Sequence, residues 1–246
     1  MKVLFAGPSL YGQAPDLTGI VLRPPAMQGD IAKAVMAGAT AIGLIDGYFD
    51  AVAAPWHKEI LFALAQGVAM LGASSMGALR AAECASFGMR PVGSIALAYC
   101  DGTLDDDAAV ALTHGPSELG YPPLTEPLVD VRPTLERLSS LGLLSKTEHT
   151  RCWAEANRLY FKDRTDEALF SGERPATLAA YRQHRVNRKA EDALLLVEEL
   201  KQTSATRAES RAWIASSSLF DARVLPALAE EAAAAYALDR APLIES

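Results

Sequence analysis

Ser74 and Ser75 lie at a corner of the sequence that could serve either chemistry or packing. The segment LGASSMGALRAAE (71–83) passes from apolar residues into an alanine-rich run, which predicts a strand, a tight turn and a helix. Residues 73–77 have a relaxed small-x-Ser-x-Gly form, as in a nucleophile elbow, and the N–H groups of the following helix could stabilise an oxyanion. Alternatively, the serines cap the helix and the glycines allow close packing. The motif alone leaves both interpretations open.

Two further polar residues follow predicted strands. Ser9 comes after FAGP (5–8), and Asp46 comes after IGLI (42–45). Parallel strands end at one edge of a sheet, about 5 Å apart, and ligands bind outside that edge. We therefore expect Ser9, Asp46 and Ser75 to converge on one small region.

His57 is a candidate base. It lies in the first turn of a predicted helix (55–67), where helical spacing places it on one face with Ile60, Leu61 and Leu64. A helix N-terminus disfavours the imidazolium, so the ring would stay neutral and could accept a proton. A histidine on an apolar face can equally be a core residue whose hydrogen bonds are satisfied.

Charged residues near these positions have two interpretations each. Lys58 could hold an anion at the rim of a site, or it could form a solvated pair with Glu59. Arg80 and Glu83 are three residues apart on a predicted helix and could pair with each other. In the alternative, Arg80 points back to the serine corner and binds a carboxylate.

The sequence predicts neither a metal nor a cofactor. The acidic run 105–107, followed by His114, is more typical of a turn and a helix N-cap, because consecutive carboxylates diverge. HKEIL (57–61) lacks the second histidine of a zincin motif. AGPSL (6–10) lacks the lysine and the spacing of a phosphate-binding loop.

Composition argues against several classes of protein. The 246 residues carry a net charge of −7, which is unlike a nucleic-acid-binding protein. The three cysteines predict no disulfide framework, and we expect Cys84 and Cys100 to be small core residues. No segment has the length of a transmembrane span, and the first apolar run is too short for a signal peptide. We expect a soluble, cytoplasmic protein without membrane contact.

The elements that position these residues alternate in the first half of the chain. Short apolar runs predict strands, and helical spacing predicts the helices between them. The predicted strands are 2–7, 19–25, 41–46 and 68–73, and the predicted helices are 29–39, 55–67 and 75–88. This alternation predicts an α/β fold with a parallel, Rossmann-like sheet flanked by helices and joined by right-handed crossovers.

The second half of the chain has a different character. The proline-rich segment 114–127 is typical of a connector, and the segments with helical patterns after it are 132–144, 145–161, 188–202 and 225–238. We predict an α/β core domain (1–115), a connector (116–127) and an all-helical domain (128–246). The helical domain carries few candidate catalytic groups, so we expect it to contact a partner protein.

Eight segments resemble the TfuA-like family. They are FAGPSL (5–10), RPPAMQGD (23–30), LIDGYF (44–49), WHKEIL (56–61), GASSMGALRAAE (72–83), FGM (87–89), DDDAAV (105–110) and PLTEPLVDVR (123–132). RLYFKDRT (158–165), in the second half, is also similar to the family. The combination is specific, although each segment alone is not.

The resemblance implies a role in peptide thioamidation. TfuA-like proteins partner YcaO enzymes, which use ATP to modify peptide backbone amides, and we expect the YcaO partner of this chain to be a separate polypeptide. The family implies delivery of sulfur from a ubiquitin-like carrier protein by hydrolysis of its C-terminal thiocarboxylate. On that basis, Ser75 or a water is the expected nucleophile, His57 the base and Asp46 the residue that orients His57. The groups expected to bind the anion or the oxyanion are Ser9, Ser74, Lys58, Arg80 and Glu83.

Two alternatives accompany this hypothesis. In the first, the protein is a non-catalytic adaptor that grips the carrier tail and docks it on YcaO. In the second, it is an unrelated α/β-hydrolase. The order of residues argues against a hydrolase of that kind, because its histidine follows the serine whereas His57 precedes Ser75.

Overall fold

The computed structural model describes residues 1–49, 52–209, 228 and 231. Within these residues the chain forms a five-stranded sheet in which all neighbouring strands are parallel. The strands are β1 (Lys2–Phe5), β2 (Ile20–Arg23), β3 (Ala41–Leu44), β4 (Ala69–Gly72) and β5 (Arg90–Pro91). The predicted α/β fold with a parallel sheet is confirmed. The two-residue strand β5 lacks an apolar run of its own and is not predicted from the sequence.

The strand order β2-β1-β3-β4-β5 creates a switch point between β1 and β3. From β1 the chain moves outward to β2, and it then returns to the opposite side of β1 as β3. Phe5 pairs with Leu44, and Leu44 pairs with Gly72, so the carboxyl ends of β1, β3 and β4 are level. In doubly wound sheets a ligand site forms in the crevice outside such a switch point.

Helices occupy most of the remaining described chain. They are α1 (Asp30–Met36), α2 (His57–Ala65), α3 (Met76–Cys84), α4 (Gly93–Cys100), α5 (Leu128–Ser140), α6 (Lys146–Arg158), α7 (Asp166–Leu169), α8 (Pro175–Gln183) and α9 (Arg188–Gln202). The prediction of a helix over 188–202 is confirmed. Helix α5 begins four residues before the predicted start and contains Pro133 in its interior. The predicted helix over 225–238 lies almost wholly outside the described residues.

Alternating side chains of the strands pack into two separate apolar layers. Val3 and Ile42 face the layer that contains Ile31 of α1 and Ile60 of α2. Leu4, Ile45 and Leu71 face the opposite layer, where the side chains of α9 are Ala193, Leu196, Val197 and Leu200. Successive side chains of a strand point to opposite faces of the sheet, so this division of contacts is expected. Helix α9, from the second half of the chain, is therefore one of the layers that cover the sheet.

A glycine in β3 allows α9 to approach the sheet closely. A Cβ at Gly43 would lie 2.6 Å from a side-chain carbon of Leu196. The other helices of the second half, α5 to α8, share a core of their own that includes Leu135 and Tyr181. The domain boundaries near residues 115 and 127 remain a prediction. Helix α9 lies in the predicted helical domain but packs on the sheet, whereas α5 to α8 pack on one another.

The two cysteines expected in the core have different environments. Cys84 is buried at the end of α3, whereas Cys100 is exposed. The expectation is wrong for Cys100 because it is the last residue of α4, where the chain turns away from the core.

We expect Gly77→Ala to destabilise the fold by about 1–3 kcal/mol or more, the cost of overpacking a filled site. Helix α3 packs so closely on β3 that a Cβ at Gly77 would lie 1.8 Å from the carbonyl oxygen of Leu44. Urea unfolding would measure the change in the free energy of unfolding. Ala82→Ser is the matched control because it adds one atom at a half-buried position of the same helix. Equal stability of the two variants would contradict this account of the packing.

Candidate functional site

The serine corner joins β4 to α3 in a constrained backbone conformation. Ser74 has φ of +67°, in the left-handed region that non-glycine residues seldom adopt. Ser75 is the N-cap residue of α3, although its side chain does not bond the helix N–H groups. Ser74 and Ser75 are 0 % and 2 % exposed. The hydroxyl of Ser75 is thus available for other partners, as expected of a site rather than of a simple helix cap.

Ser9 and Asp46 meet at the switch point between β1 and β3. The hydroxyl of Ser9 donates to Asp46 Oδ1 at 2.7 Å, and the backbone N–H groups of Gly7 and Ser9 donate to Oδ2 at 2.8 and 3.1 Å. Ser74 Oγ donates in turn to Ser9 Oγ at 2.9 Å. The predicted convergence of Ser9, Asp46 and the serine corner is confirmed. The N–H group of Ser9, expected near an oxyanion, is instead bonded to Asp46.

A lysine from the second half of the chain completes the cluster. Lys189, in the first turn of α9, is only 2 % exposed. Its Nζ donates to Ser75 Oγ at 3.0 Å and to the carbonyl oxygen of Val110 at 2.8 Å. A lysine is almost never buried unless it is paired, so these contacts set the position of the amine. Ser75 and Lys189 form a buried hydroxyl–amine dyad.

Burial lowers the pKa of Lys189, and the nearby carboxylates of Asp46 and Asp130 act in the opposite direction. Asp130 lies on α5, and its Oδ1 accepts a hydrogen bond from the N–H of Lys189 at 3.1 Å. Burial raises the pKa of Asp130 to about 7, while the charge of Lys189 opposes that rise. Because burial disfavours the ammonium, Lys189 holds its proton less firmly than a surface lysine and is suited to act as a base.

The dyad opens into a cavity of about 270 Å³ at the carboxyl edge of the sheet. Its polar lining includes Asp46, Ser75 and Lys189, together with His114 and Lys162. The aromatic side chains in its wall are Tyr48, Phe49 and Phe161. Pockets for complete small ligands usually start at about 300 Å³, so this cavity suits the end of a chain or a small anion.

Four residues expected at the site form a separate cluster on the surface. His57 Nε2 lies 2.7 Å from Glu83 Oε2, and Arg80 Nη1 donates to the same oxygen at 2.7 Å. Arg80 also donates through Nε to the carbonyl oxygen of Pro55. The His57 side chain is 50 % exposed, and Lys58 is exposed beside it. The lining of the cavity includes none of these four residues.

The structure does not assemble Asp46, His57 and Ser75 as a triad. The start of α2 lies against α3, which brings His57 to Glu83, while Asp46 is bonded to Ser9 at the strand ends. The expectation that His57 faces inward is wrong, because its ring points along the surface. Arg80 forms an ion pair with Glu83. This was one of the two interpretations of Arg80, the other being an arginine that points to the serine corner.

Sequence reasoning misses Lys189, and it also underestimates the second half of the chain as a source of site residues. A signal is present in the helical pattern. Lys189 has the spacing of Ala193, Leu196 and Leu200, which form the buried stripe of α9. A lysine in register with a buried stripe indicates a partner inside the fold.

We expect Asp130→Asn to lower the pKa of Lys189 further, because the charge of Asp130 favours the ammonium. The amide can still accept the hydrogen bond from the Lys189 N–H, but it has no negative charge to favour the ammonium. NMR titration of the Lys189 side chain would show a midpoint at lower pH. Glu136→Gln is the control, since it removes an exposed carboxylate from the same helix. A midpoint that stays in place or rises in Asp130→Asn would contradict the assigned electrostatics.

Part of the chain matches a known protein family. Residues 46–165 match the family model described as TfuA-like protein. The matched range includes Asp46, Ser75 and His114, and it ends before Lys189. No curated protein matches the chain. Among the helices in the described part of the chain, none is both long and apolar enough to cross a membrane. Over residues 46–165 the chain is similar to the TfuA-like family, which is associated with thioamidation.

Proposed function

We propose that this chain supplies sulfur to a YcaO enzyme by hydrolysing the C-terminal thiocarboxylate of a ubiquitin-like carrier protein. The match of residues 46–165 to the TfuA-like family model supports the connection with thioamidation. The observation that carries the hydrolytic step is the buried hydrogen bond between Lys189 Nζ and Ser75 Oγ, at 3.0 Å, in the wall of the cavity. In this proposal Ser75 is the nucleophile, and Lys189 replaces His57 as the base.

Lys189 activates Ser75 once its amine is neutral. A neutral amine keeps two N–H groups and gains one lone pair. One N–H group stays on the carbonyl oxygen of Val110, and the lone pair accepts the hydroxyl proton of Ser75. Burial populates the neutral form at a lower pH than for an exposed lysine, which brings the base closer to the pH of the cell.

The first chemical step transfers the acyl group of the carrier to Ser75. The Oγ–C bond forms at the thiocarboxylate carbon, and the C–S bond then breaks. The proton that Lys189 took from Ser75 passes to the departing sulfur, which leaves as hydrosulfide. Met76 begins α3, so its N–H group is one of those that a helix leaves without an intrahelical acceptor and is placed to stabilise the oxyanion. The products of this step are an ester at Ser75 and one hydrosulfide.

The charge and the size of the cavity favour this class of substrate. A thiocarboxylate is an anion, and attack on its carbonyl carbon adds further negative charge. Lys162 lines the cavity and supplies positive charge there, and Lys189 becomes cationic when it takes the proton of Ser75, as the negative charge develops. A volume of about 270 Å³ admits the end of an extended polypeptide, while the folded body of a carrier would remain outside.

We expect Ser75→Ala and Lys189→Met to reduce sulfide release at least about 100-fold, the usual scale for loss of a nucleophile or its base. The assay incubates the purified protein with thiocarboxylated carrier, with and without the YcaO enzyme. It follows released sulfide and the mass of the carrier. Both variants are expected to retain carrier binding, because the body of the carrier contacts the surface of the protein rather than the dyad.

Two controls match these substitutions. Ser140→Ala removes an exposed hydroxyl from α5, and Lys201→Met removes a lysine of α9 that pairs with Asp16 at the surface. His57→Ala separates the two candidate bases, since turnover is expected to persist if Lys189 is the base. A carrier whose mass never changes, with or without YcaO, would leave the adaptor role and refute hydrolysis.

A further inference from the structure

His114 is a second proton-accepting group in the cavity, and the acyl transfer to Ser75 does not use it. His114 lines the same cavity as Ser75 and Lys189. Nδ1 lies 2.8 Å from the carbonyl oxygen of Gly115. A carbonyl oxygen can only accept, so Nδ1 carries the proton in this bond. In the neutral ring the lone pair is therefore on Nε2.

The position of His114 is fixed by its own segment and by two aromatic rings. The N–H of Gly115 donates to the carbonyl oxygen of Pro122 at 2.8 Å, and His114 forms a bridge with Pro123. The ring centroid lies 5.8 Å from that of Tyr48 and 5.4 Å from that of Tyr121. A base must be held in place to be effective, and these contacts hold the imidazole at the cavity wall.

We infer that His114 is the general base that activates the water for hydrolysis of the acyl-Ser75 ester. This inference rests on the proposed thiocarboxylate hydrolysis and adds its second half. Nε2 takes one proton from the water as the water oxygen bonds to the ester carbon. The bond from that carbon to Ser75 Oγ then breaks. The proton held on His114 passes to Lys189, and Lys189 passes a proton to the oxygen of Ser75. The free carboxylic acid then loses its own proton to solvent.

The contacts of Lys189 favour this division of roles. Its amine lies at hydrogen-bond distance from Ser75 Oγ, which is the leaving oxygen of the second step. The amine is held there and on the carbonyl oxygen of Val110, so it is positioned to return a proton to Ser75. His114 comes from a different segment of the chain and lines the same cavity, so it can serve the water while Lys189 serves Ser75.

The experiment separates the first turnover from the following ones. His114→Phe keeps a ring between the tyrosines without a proton acceptor, and His114→Gln is a polar variant in case the first does not fold. Each is mixed with thiocarboxylated carrier and YcaO. We expect one hydrosulfide per protein at the wild-type rate, followed by steady-state turnover at least about 100-fold slower. Intact-protein mass spectrometry should then show the acyl carrier bound to the protein.

Further variants locate the adduct and test the alternatives. The adduct should be absent from Ser75→Ala/His114→Phe, and added imidazole should restore turnover to His114→Ala. Wild-type steady-state turnover in a folded His114 variant would overturn the role of His114 and leave the proposed function standing. Loss of the first hydrosulfide as well would also overturn it, because His114 would then act before the ester forms. A wild-type protein that releases no sulfide would instead refute the proposed function, and this inference with it.

Discussion

The hydrogen bond between Lys189 and Ser75 is the interaction on which the site depends. A buried ammonium loses its hydration, and its few polar partners replace only part of it. Here those partners are one hydroxyl and one carbonyl oxygen, with the charges of Asp46 and Asp130 nearby. Burial lowers the pKa of Lys189, so the buried position that holds the amine on Ser75 also makes the amine a better base. An apolar residue at position 189 would avoid this cost, which is consistent with a role beyond packing.

The topology of the sheet explains why the other polar groups are in reach. The strands β1, β3 and β4 end level, and each is followed within a few residues by Ser9, Asp46 or Ser75. This convergence could be predicted from the sequence, because apolar runs identify strands and parallel strands share one carboxyl edge. The alternation of strands and helices likewise predicted the α/β architecture. Both predictions depend on short-range patterns that survive without knowledge of the tertiary contacts.

The missing parts of the prediction depend on contacts between distant elements. Helical spacing assigned His57 to the apolar face of α2. It could not reveal that the His57 side chain, in the first turn, lies at the surface and contacts Glu83. Lys189 has the spacing of the buried stripe of α9, yet its partner Ser75 is 114 residues away in sequence. Periodicity identifies a buried face without naming what it meets. A charged residue on such a face therefore indicates a buried site, even when the residue is far from the motif in the sequence.

The site is assembled from three segments that the sequence presents as separate. The sheet supplies Asp46 and Ser75, the segment before α5 supplies His114, and α9 supplies Lys189. Helix α9 also covers one face of the sheet through Leu196, Val197 and Leu200. The amine can reach Ser75 only when that apolar contact has formed, so docking of α9 couples the stability of the sheet to the presence of the base. The second half of the chain is then a necessary part of the site, whatever surface it also offers to a partner.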